Sequence, residues 1–372
     1  MDELPGILNL VNATFLSQHG FPPVMGEVFP HLFSEHNIEN LRVIVEDREP
    51  ISHVGIWEGD LLIYGSWFKV GMISCVCTHP EFRGRGYASS LVKDAFSKMK
   101  RDGVDLVLIS GDRDLYRRFG CFRLGRIYRY KIPAGRVNFE KEKFDLIPYD
   151  ERYLTNLVGL YQKEPLRYRR SLDDFKLLAE RGLRCSKVPT KIFIAKFRGK
   201  PLAYIAAGLM PQEVLRGILR VHEYAGSRTA VLYLIEHLFR IMGSDVIEVI
   251  IPFHDLELLS ILEEKGVAQP PLETPASMCI INPQSFIEKA RPYLEERVVK
   301  ENLSKLRIDV TDERITMTIN RQKPACMDLK DLTFLFFGNP EQVQPSADLE
   351  PILKLLGESL PMPNPTYGLN FV

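Results

Sequence analysis

The stretch from Arg83 to Ser89, which reads RGRGYAS, has the residue types of an anion-binding loop. An apolar, strand-like segment (MISCVCT, residues 72–78) comes before it, and a helical pattern follows it directly. At such a turn, free backbone N–H groups and the positive end of a helix dipole point to the same place. Glycine lets the backbone approach a phosphate closely, and arginine can pair with that phosphate through two hydrogen bonds. We therefore predict that this stretch, called the glycine loop below, holds a phosphate or pyrophosphate.

Two known phosphate-binding loops fit the sequence poorly. The Walker pattern GxxxxGK[ST] does not occur in the sequence, which excludes that loop. The dinucleotide-binding pattern is matched by Gly84 and Gly86, but Ser89 stands where the third glycine is expected. Asp105 begins the next strand instead of ending it, so it is badly placed to reach a ribose. What remains is a third design, or an arginine–glycine turn that is merely solvated.

Composition indicates a globular protein of two or three domains. The chain has 372 residues, of which 45% are hydrophobic and 26% are charged. Basic and acidic residues number 48 each, so neither nucleic acid nor an anionic membrane is an expected partner. The N-terminal residues MDELPGILNL carry acids where a signal peptide would carry bases, and no apolar run approaches the roughly 18 residues of a membrane span. The six cysteines show no CxxC spacing, so we expect a cytoplasmic protein with reduced thiols.

The segments around the glycine loop alternate between strand-like and helical patterns. Residues 41–57 and 61–64 are strand-like and flank Glu58–Asp60, which we predict to be a hairpin turn. An apolar stripe at helical spacing covers residues 88–99, and residues 106–110 form the next apolar strand.

The same order of elements recurs later in the chain. Two strand-like segments over residues 191–207 and a third over 217–224 precede a helical stripe from 230 to 241 and a strand over 246–252, which indicates an internal duplication. From about Asn282 the pattern changes again, with a helix that contains Pro292. We place domain boundaries near residues 138 and 282, which predicts three domains over residues 1–138, 139–282 and 283–372.

The run VCTHPEFRGRGYASSLV closely resembles the pyrophosphate loop of the GNAT acetyltransferases. Arg83, Gly86 and Ala88 match that superfamily's pattern of Arg or Gln, two residues, Gly, one residue, then Gly or Ala. The three-domain layout resembles the Eis family, which implies an α+β fold: tandem GNAT folds, each a mixed sheet flanked by helices, and then a sterol-carrier-protein-like α+β domain. At the second loop position Gly226 and Arg228 are present but the pattern is lost, so we expect that domain to be degenerate.

The resemblance implies acetyl-CoA as co-substrate and no metal. It assigns the pantetheine arm to the strand before the loop, where two parallel strands separate and leave backbone groups that need partners. It also implies an amine-bearing acceptor of unknown identity and assembly as a homo-oligomer. The residues expected to contact acetyl-CoA are Val76, Cys77, Thr78, Arg83, Gly84, Arg85, Gly86, Tyr87, Ala88, Ser89, Gly111 and Asp112.

Cys75, Cys77 and His79 alternate along the strand and invite comparison with a zinc site. Side chains two residues apart on a strand lie about 7 Å from each other, so without a bend these three cannot close around one ion with bonds of about 2.0–2.3 Å. We interpret the cysteines as core thiols.

Acetyl transfer to an amine needs a proton for the departing thiolate, and the resemblance assigns that role to Tyr116. A tyrosine of pKa about 10 can protonate a thiolate whose thiol has a pKa near 8.5. Taken without the resemblance, Tyr116 would more often be a packing residue. For the acceptor site we select Met25 and Phe29 as an apolar wall and Glu27 as a partner for a cationic amine, against the alternative of ordinary helix packing.

The proline-rich end of the chain, PMPNPTYGLNFV, finishes with apolar residues and is expected to dock rather than fray. In the Eis family a terminal carboxylate acts as the base on the acceptor amine, which here implies the α-carboxylate of Val372. The sequence as a whole therefore predicts an acetyl-CoA-dependent N-acetyltransferase. The alternative is a non-catalytic protein that binds acyl-CoA or a lipid.

Overall fold

A computed structural model of the protein describes residues 3–135, 144–181, 190–209, 218–267, 269–274, 276–311, 314–320, 322–339, 342 and 347–371. Among the helices within these ranges, none is both long enough and apolar enough to span a bilayer.

The first part of the chain forms a sheet with helices on both faces. Its elements are α1 (Leu4–Phe15), α2 (Met25–Val28), β1 (Leu41–Glu46), β2 (Glu49–Ile63), β3 (Ser66–Thr78), α3 (Tyr87–Arg101), β4 (Leu106–Ile109), α4 (Asp114–Arg117) and β5 (Phe122–Arg123). Strand β3 is central: Met72 packs in the cluster that includes α1, and Ile73 packs in the cluster that includes α3. The apolar stripe predicted after the glycine loop is the buried face of α3.

The hairpin turn predicted at Glu58–Asp60 is wrong, because β2 runs through these residues without a break. Gly59 has a packing role: a Cβ atom there would lie 2.3 Å from the Trp57 indole. The turns lie instead at Asp47–Arg48 and at Tyr64–Gly65, where all four residues have positive φ angles.

The second part of the chain repeats this arrangement. Its elements are β6 (Arg126–Pro133), β7 (Asp145–Pro148), α5 (Leu154–Tyr161), β8 (Leu166–Tyr168), α6 (Leu172–Arg181), β9 (Lys191–Phe197), β10 (Lys200–Leu209), β11 (Leu219–Gly226), α7 (Arg228–Met242), β12 (Val246–Pro252), α8 (Leu256–Glu264), β13 (Pro271–Glu273) and β14 (Ser277–Ile280). The predicted α+β class, with mixed sheets flanked by helices in tandem, is confirmed.

The two large sheets exchange strands. The first sheet has the order β1-β2-β3-β4-β14-β5, with β8 added beside β2, and the second has the order β13-β6-β12-β11-β10-β9-β7. Strand β14 thus completes the first sheet from beyond the second, pairing antiparallel with β4. Strand β6 completes the second sheet in the equivalent way, pairing antiparallel with β12. The boundaries at 138 and 282 stay predictions, and strands from both sides of residue 138 share each of the two large sheets.

The last part of the chain packs against the first sheet. Its elements are α9 (Pro283–Glu295), α10 (Lys300–Leu303), β15 (Leu306–Thr311), β16 (Arg314–Ile319), β17 (Ala325–Met327), α11 (Leu329–Phe337) and α12 (Glu350–Leu356), and β15, β16 and β17 form a third sheet. Phe286 of α9 stacks on Phe68 of β3 with 5.1 Å between the ring centroids. The likeness of this last part of the chain to sterol carrier proteins stays a prediction.

The C-terminal tail docks between the first two parts of the molecule. Glu223 lies at its anchor point: this buried carboxylate accepts two hydrogen bonds from the Arg170 guanidinium and one from the Leu369 backbone N–H at 3.0 Å. Arg170 also donates to the Asn370 side-chain oxygen at 2.7 Å. Phe371 then packs on Phe29, with ring centroids 5.9 Å apart.

Candidate active site

Strands β3 and β4 separate in the middle of the first sheet. They pair in parallel from Val70 and Leu106 to Ile73 and Ile109, and β3 then continues to Thr78. No described strand pairs with that edge of β3 beyond Ile73. Val76, Cys77 and Thr78, the residues predicted to contact the pantetheine arm, make up this free edge.

A bulge marks the point of separation. Cys75 has a φ of +50°, and the register between β2 and β3 shifts beside it. His53 of β2 supports the bulge, because its Nδ1 lies 3.0 Å from the Cys75 carbonyl oxygen. Burial lowers the pKa of His53 to about 4, so the ring is neutral at pH 7 and donates its Nδ1 proton to that carbonyl. Sequence reasoning missed His53, which gives no local signal of this role.

The glycine loop lies open at the end of this edge. Gly84 and Gly86 have φ angles of +78° and +81°, and a Cβ atom at either position would have no neighbour within 4 Å. Helix α3 begins directly after Gly86, and no side chain caps its N-terminus. Tyr87, Ala88 and Ser89 form its first turn, so their uncapped N–H groups face the loop. The loop and the helix end together fit a pyrophosphate.

The two loop arginines lie at the rim. Arg83 is exposed and donates from Nε to the Thr78 carbonyl oxygen at 3.2 Å. The Arg85 guanidinium lies over the Phe82 ring, 4.9 Å from its centroid. Both arginines follow the free edge in the chain, and a change of side-chain rotamer would let either guanidinium bind an anion in the glycine loop.

Gly111 and Asp112 follow β4, across the gap from the free edge. The Gly111 carbonyl accepts a hydrogen bond from the Ser277 hydroxyl of β14 at 2.6 Å. The Asp112 carboxylate accepts from Arg117 at 2.6 and 2.9 Å, and the hydrogen bond from Arg117 holds the pKa of Asp112 below its usual value. Its side chain thus fixes α4, and its backbone is the part left for the predicted cofactor contact.

Tyr116 is buried in α4 beside the separated strands. Its ring lies 3.8 Å from the position that a Gly111 Cβ atom would take. Burial raises the pKa of Tyr116, with a further rise from the nearby Cys121 and Cys75, so its hydroxyl stays protonated at neutral pH.

A second tyrosine reaches the same region from the C-terminal tail. The Tyr367 hydroxyl is buried without a hydrogen-bond partner among the described residues. Burial raises its pKa, and the proximity of Cys121 and Tyr116 raises it further. Sequence reasoning missed Tyr367, and the only signal for it was the expectation that the tail docks.

Cys75 and Cys77 are buried thiols. Burial raises the pKa of Cys75 and of Cys77 to about 12, so neither is an effective nucleophile at neutral pH. The Cys121 and Cys279 sulfurs lie 2.8 Å apart in the core. Over the described part of the chain, no three His, Cys, Asp or Glu side chains are grouped as a metal site would require.

The acceptor site stays a prediction, since only two of its three residues lie on the same side of the chain. Met25 and Phe29 are buried in the core, whereas Glu27 is exposed. Phe371 of the tail reaches Phe29, but the predicted base, Val372, lies outside the described residues.

In the second half, the chain itself fills the equivalent loop. The Gly226 N–H donates to the Glu164 carboxylate at 2.9 Å, and Arg228 donates twice to the same carboxylate at 2.8 Å. Arg228 also pairs with Asp255, and the Ser227 hydroxyl caps α7. A carboxylate thus occupies the place of an anion, in keeping with a degenerate second domain.

Comparison with known proteins agrees with this geometry. Residues 1–124 match the family model of an acetyltransferase (GNAT) domain. No curated protein sequence matches the chain.

Three solved structures share its fold. A GCN5-related N-acetyltransferase from Anabaena variabilis is 16% identical, with a TM-score of 0.64 over 97% of this chain and 95% of that one. A probable N-acyltransferase from Enterococcus faecalis is 14% identical, with a TM-score of 0.63 over 90% and 87%. Eis1 from Mycobacterium abscessus is 15% identical, with a TM-score of 0.51 over 78% and 75%. Residues 1–124 therefore resemble a GNAT acetyltransferase domain, and the chain shares the fold of these three structures.

Proposed function

We propose that the protein is an acetyl-CoA-dependent N-acetyltransferase that moves an acetyl group directly from the thioester to an amine of a small molecule or peptide. One observation carries this proposal: the free edge of β3 leads without interruption to an open glycine loop at an uncapped helix end. The edge offers unpaired backbone groups to the amides of pantetheine, and the loop offers N–H groups and arginines to a pyrophosphate.

The surrounding residues fit direct transfer. As the amine attacks the thioester carbonyl, the carbon–nitrogen bond forms and the carbon–sulfur bond breaks. We assign stabilisation of the developing oxyanion to backbone N–H groups of β3 beside the Cys75 bulge. The thiolate then takes a proton from Tyr116, whose burial keeps that proton in place at neutral pH. The nitrogen releases one proton as the amide forms, which the proposed base, the α-carboxylate of Val372, accepts, and Tyr116 regains its proton from solvent. The protonated Cys75 and Cys77 thiols argue against an acyl-cysteine intermediate.

Further parts of the proposal rest on likeness to the Eis family. The fold of Eis1 supports the tandem arrangement. A sterol-carrier-like domain over residues 283–372, homo-oligomeric assembly and a cytoplasmic location belong to the same proposal and depend on it.

The deciding experiment measures thiol release from acetyl-CoA by the full chain, over a panel of aminoglycosides, polyamines and lysine peptides. We expect release that depends on one class of amine, with the N-acetylated product visible by mass spectrometry. Reactions without amine are the control for hydrolysis. Binding of acetyl-CoA without turnover on any amine would favour the non-catalytic alternative, and failure to bind it would overturn both functions.

A further inference from the structure

A cavity of about 940 Å³ is lined by strands of both large sheets, by the segment that links α5 to β8 and by the C-terminal tail. Its size falls in the range of small-molecule sites. None of its lining residues belongs to the free edge of β3 or to the glycine loop, although Tyr367 in its wall also lies near Tyr116.

Several residues that line this cavity carry a buried polar atom without a partner among the described residues. A buried polar atom normally has a hydrogen-bond partner, and leaving it without one is costly. Five of the buried atoms without a partner among the described residues belong to residues that line this cavity: Arg129 Nε, Tyr168 OH, His222 Nε2, His254 Nδ1 and Tyr367 OH. Such a concentration indicates a site for a ligand that supplies the missing partners.

The charges at the cavity favour an anion. Of the four acids that line it, Glu223 pairs with Arg170, Glu164 and Asp255 share Arg228, and Glu257 is exposed. Arg129 also lines it, and no carboxylate of the described residues lies within ion-pair distance of its guanidinium. The positive charge of the Arg129 guanidinium is therefore available to an anionic ligand.

The second sheet places Arg129 and His222 on either side of one strand. Arg129 of β6 pairs with Ile250 of β12. On the other side of β12, β11 pairs as far as Val221 and then separates, so His222 stands at the point of separation. Burial lowers the pKa of His222 to about 4, so the ring is neutral at pH 7 and can donate one hydrogen bond. Arg129 and His222 can therefore both bind one acidic group. Apolar side chains line other parts of the cavity wall: Leu61, Ile127, Leu202, Ile250 and Phe371.

We propose that this cavity binds a small molecule with a carboxylate or phosphate group on an apolar body, and that Arg129 and His222 hold the acidic group.

The test is calorimetric titration of the full chain with dodecanoate, dodecyl phosphate, dodecanol and dodecylamine, in saturating coenzyme A so that the glycine loop is blocked. We expect at least one of the two acids to bind about tenfold or more tightly than the alcohol, and the amine to bind no better than the alcohol. The stronger of the two acids identifies the headgroup.

Variants assign the site. Arg129→Met should lower affinity for the acid by about tenfold or more and leave affinity for dodecanol within about threefold. Arg240→Met is the matched control, since Arg240 is exposed at the end of α7. If Arg129→Met does not fold, Ile250→Trp, which fills the cavity, should remove binding of acid and alcohol together. Equal binding of acid and alcohol, or no binding of either acid, would overturn the proposal. Full acid affinity in both Arg129→Met and Ile250→Trp would overturn it as well.

Discussion

Gly86 and Gly103 stand near opposite ends of α3 with almost the same backbone conformation, φ +81° and +78°, and with open space where a Cβ would lie. This pair separates the effect of backbone strain from the effect of lost binding. A non-glycine residue at either position costs about 1 kcal/mol or slightly more, because the left-handed region disfavours a Cβ atom.

We expect Gly86→Asp to lower acetyl-CoA affinity by about tenfold or more, equivalent to about 1.4 kcal/mol, because its carboxylate lies where the pyrophosphate binds. Gly103→Asp should lose similar stability and keep its affinity within about threefold. Calorimetric titration and thermal unfolding of both variants provide the measurement. Equal losses of affinity would show that the glycine loop does not hold the cofactor.

The two buried tyrosines give a second prediction at this scale. Tyr116→Phe should lower kcat by about 100-fold or more and leave the acetyl-CoA dissociation constant unchanged within about threefold, because the hydroxyl acts only as charge develops on sulfur. Tyr367→Phe is the matched control, since its hydroxyl is also buried close by. Single-turnover rates for both variants check this. A loss of rate in Tyr367→Phe alone would transfer the role of acid to the tail.

Residues close together in sequence could be predicted, and residues far apart could not. Spacing alone predicted a loop at Gly84 and Gly86 and a helix directly after it, because a loop followed by a helix is a local pattern. The contact of Gly226 with Glu164 joins residues 62 positions apart, and no local pattern signals it. The turn predicted at Glu58–Asp60 is wrong, because Gly59 leaves room for the Trp57 ring and does not mark a bend of the chain.

At the scale of elements, the start of α7 holds buried ion pairs at the position where the first half of the chain has its glycine loop. Arg228 lies between Glu164 and Asp255, and all three side chains are mostly buried. An ion pair of this kind adds little net stability, but the loss of one partner leaves an unpaired buried charge.

We therefore expect Arg228→Met to lower the free energy of unfolding by about 3–5 kcal/mol and to leave acetyl-CoA affinity unchanged. Arg240→Met, an exposed position at the other end of the same helix, should cost less than about 0.5 kcal/mol. Urea unfolding and calorimetric titration of both variants supply the comparison, and wild-type protein should bind one acetyl-CoA per chain. A stoichiometry of two would contradict a degenerate second domain.

The exchanged strands give a further prediction at this scale. A fragment of residues 1–138 contains β6 but lacks β14, so β4 loses its antiparallel partner and β6 its sheet. We expect this fragment not to unfold cooperatively and not to bind acetyl-CoA, because an open apolar edge invites aggregation. Addition of a peptide covering residues 274–282 should partly restore solubility. A soluble fragment that binds acetyl-CoA like the full chain would support a boundary at 138 as an independent folding limit.

At the scale of the whole molecule, buried histidines link stability to pH. Burial lowers the pKa values of His31, His53, His222 and His254 to about 4, from about 6.5 in an unfolded chain. Between these values the unfolded state binds more protons than the folded state, so stability rises with pH there. The stabilisation is fully present above pH 6.5 and is lost as the pH falls towards 4.

We expect the free energy of unfolding to fall between pH 6.5 and 4 by up to about 1.4 kcal/mol per pH unit for each of these histidines. His53→Gln should reduce this slope by one proton, because glutamine does not titrate. His19→Gln, at an exposed position, should leave the slope unchanged. Urea unfolding across this pH range measures all three proteins, and equal slopes in all of them would show that His53 does not titrate as burial implies.

The exchange of strands also sets an order of events during synthesis. About 170 residues separate β4 from β14, and at roughly 5–20 residues per second the ribosome needs roughly 10–30 s to make them. During that interval the nascent first sheet has an open edge beside the proposed acetyl-CoA site, and the other strands of the sheet that β6 joins are not yet made. The first half, although translated first, completes its fold only after the second half has emerged. Chaperones that shield apolar edges on the ribosome would therefore act on this protein's first domain for longer than its length alone suggests.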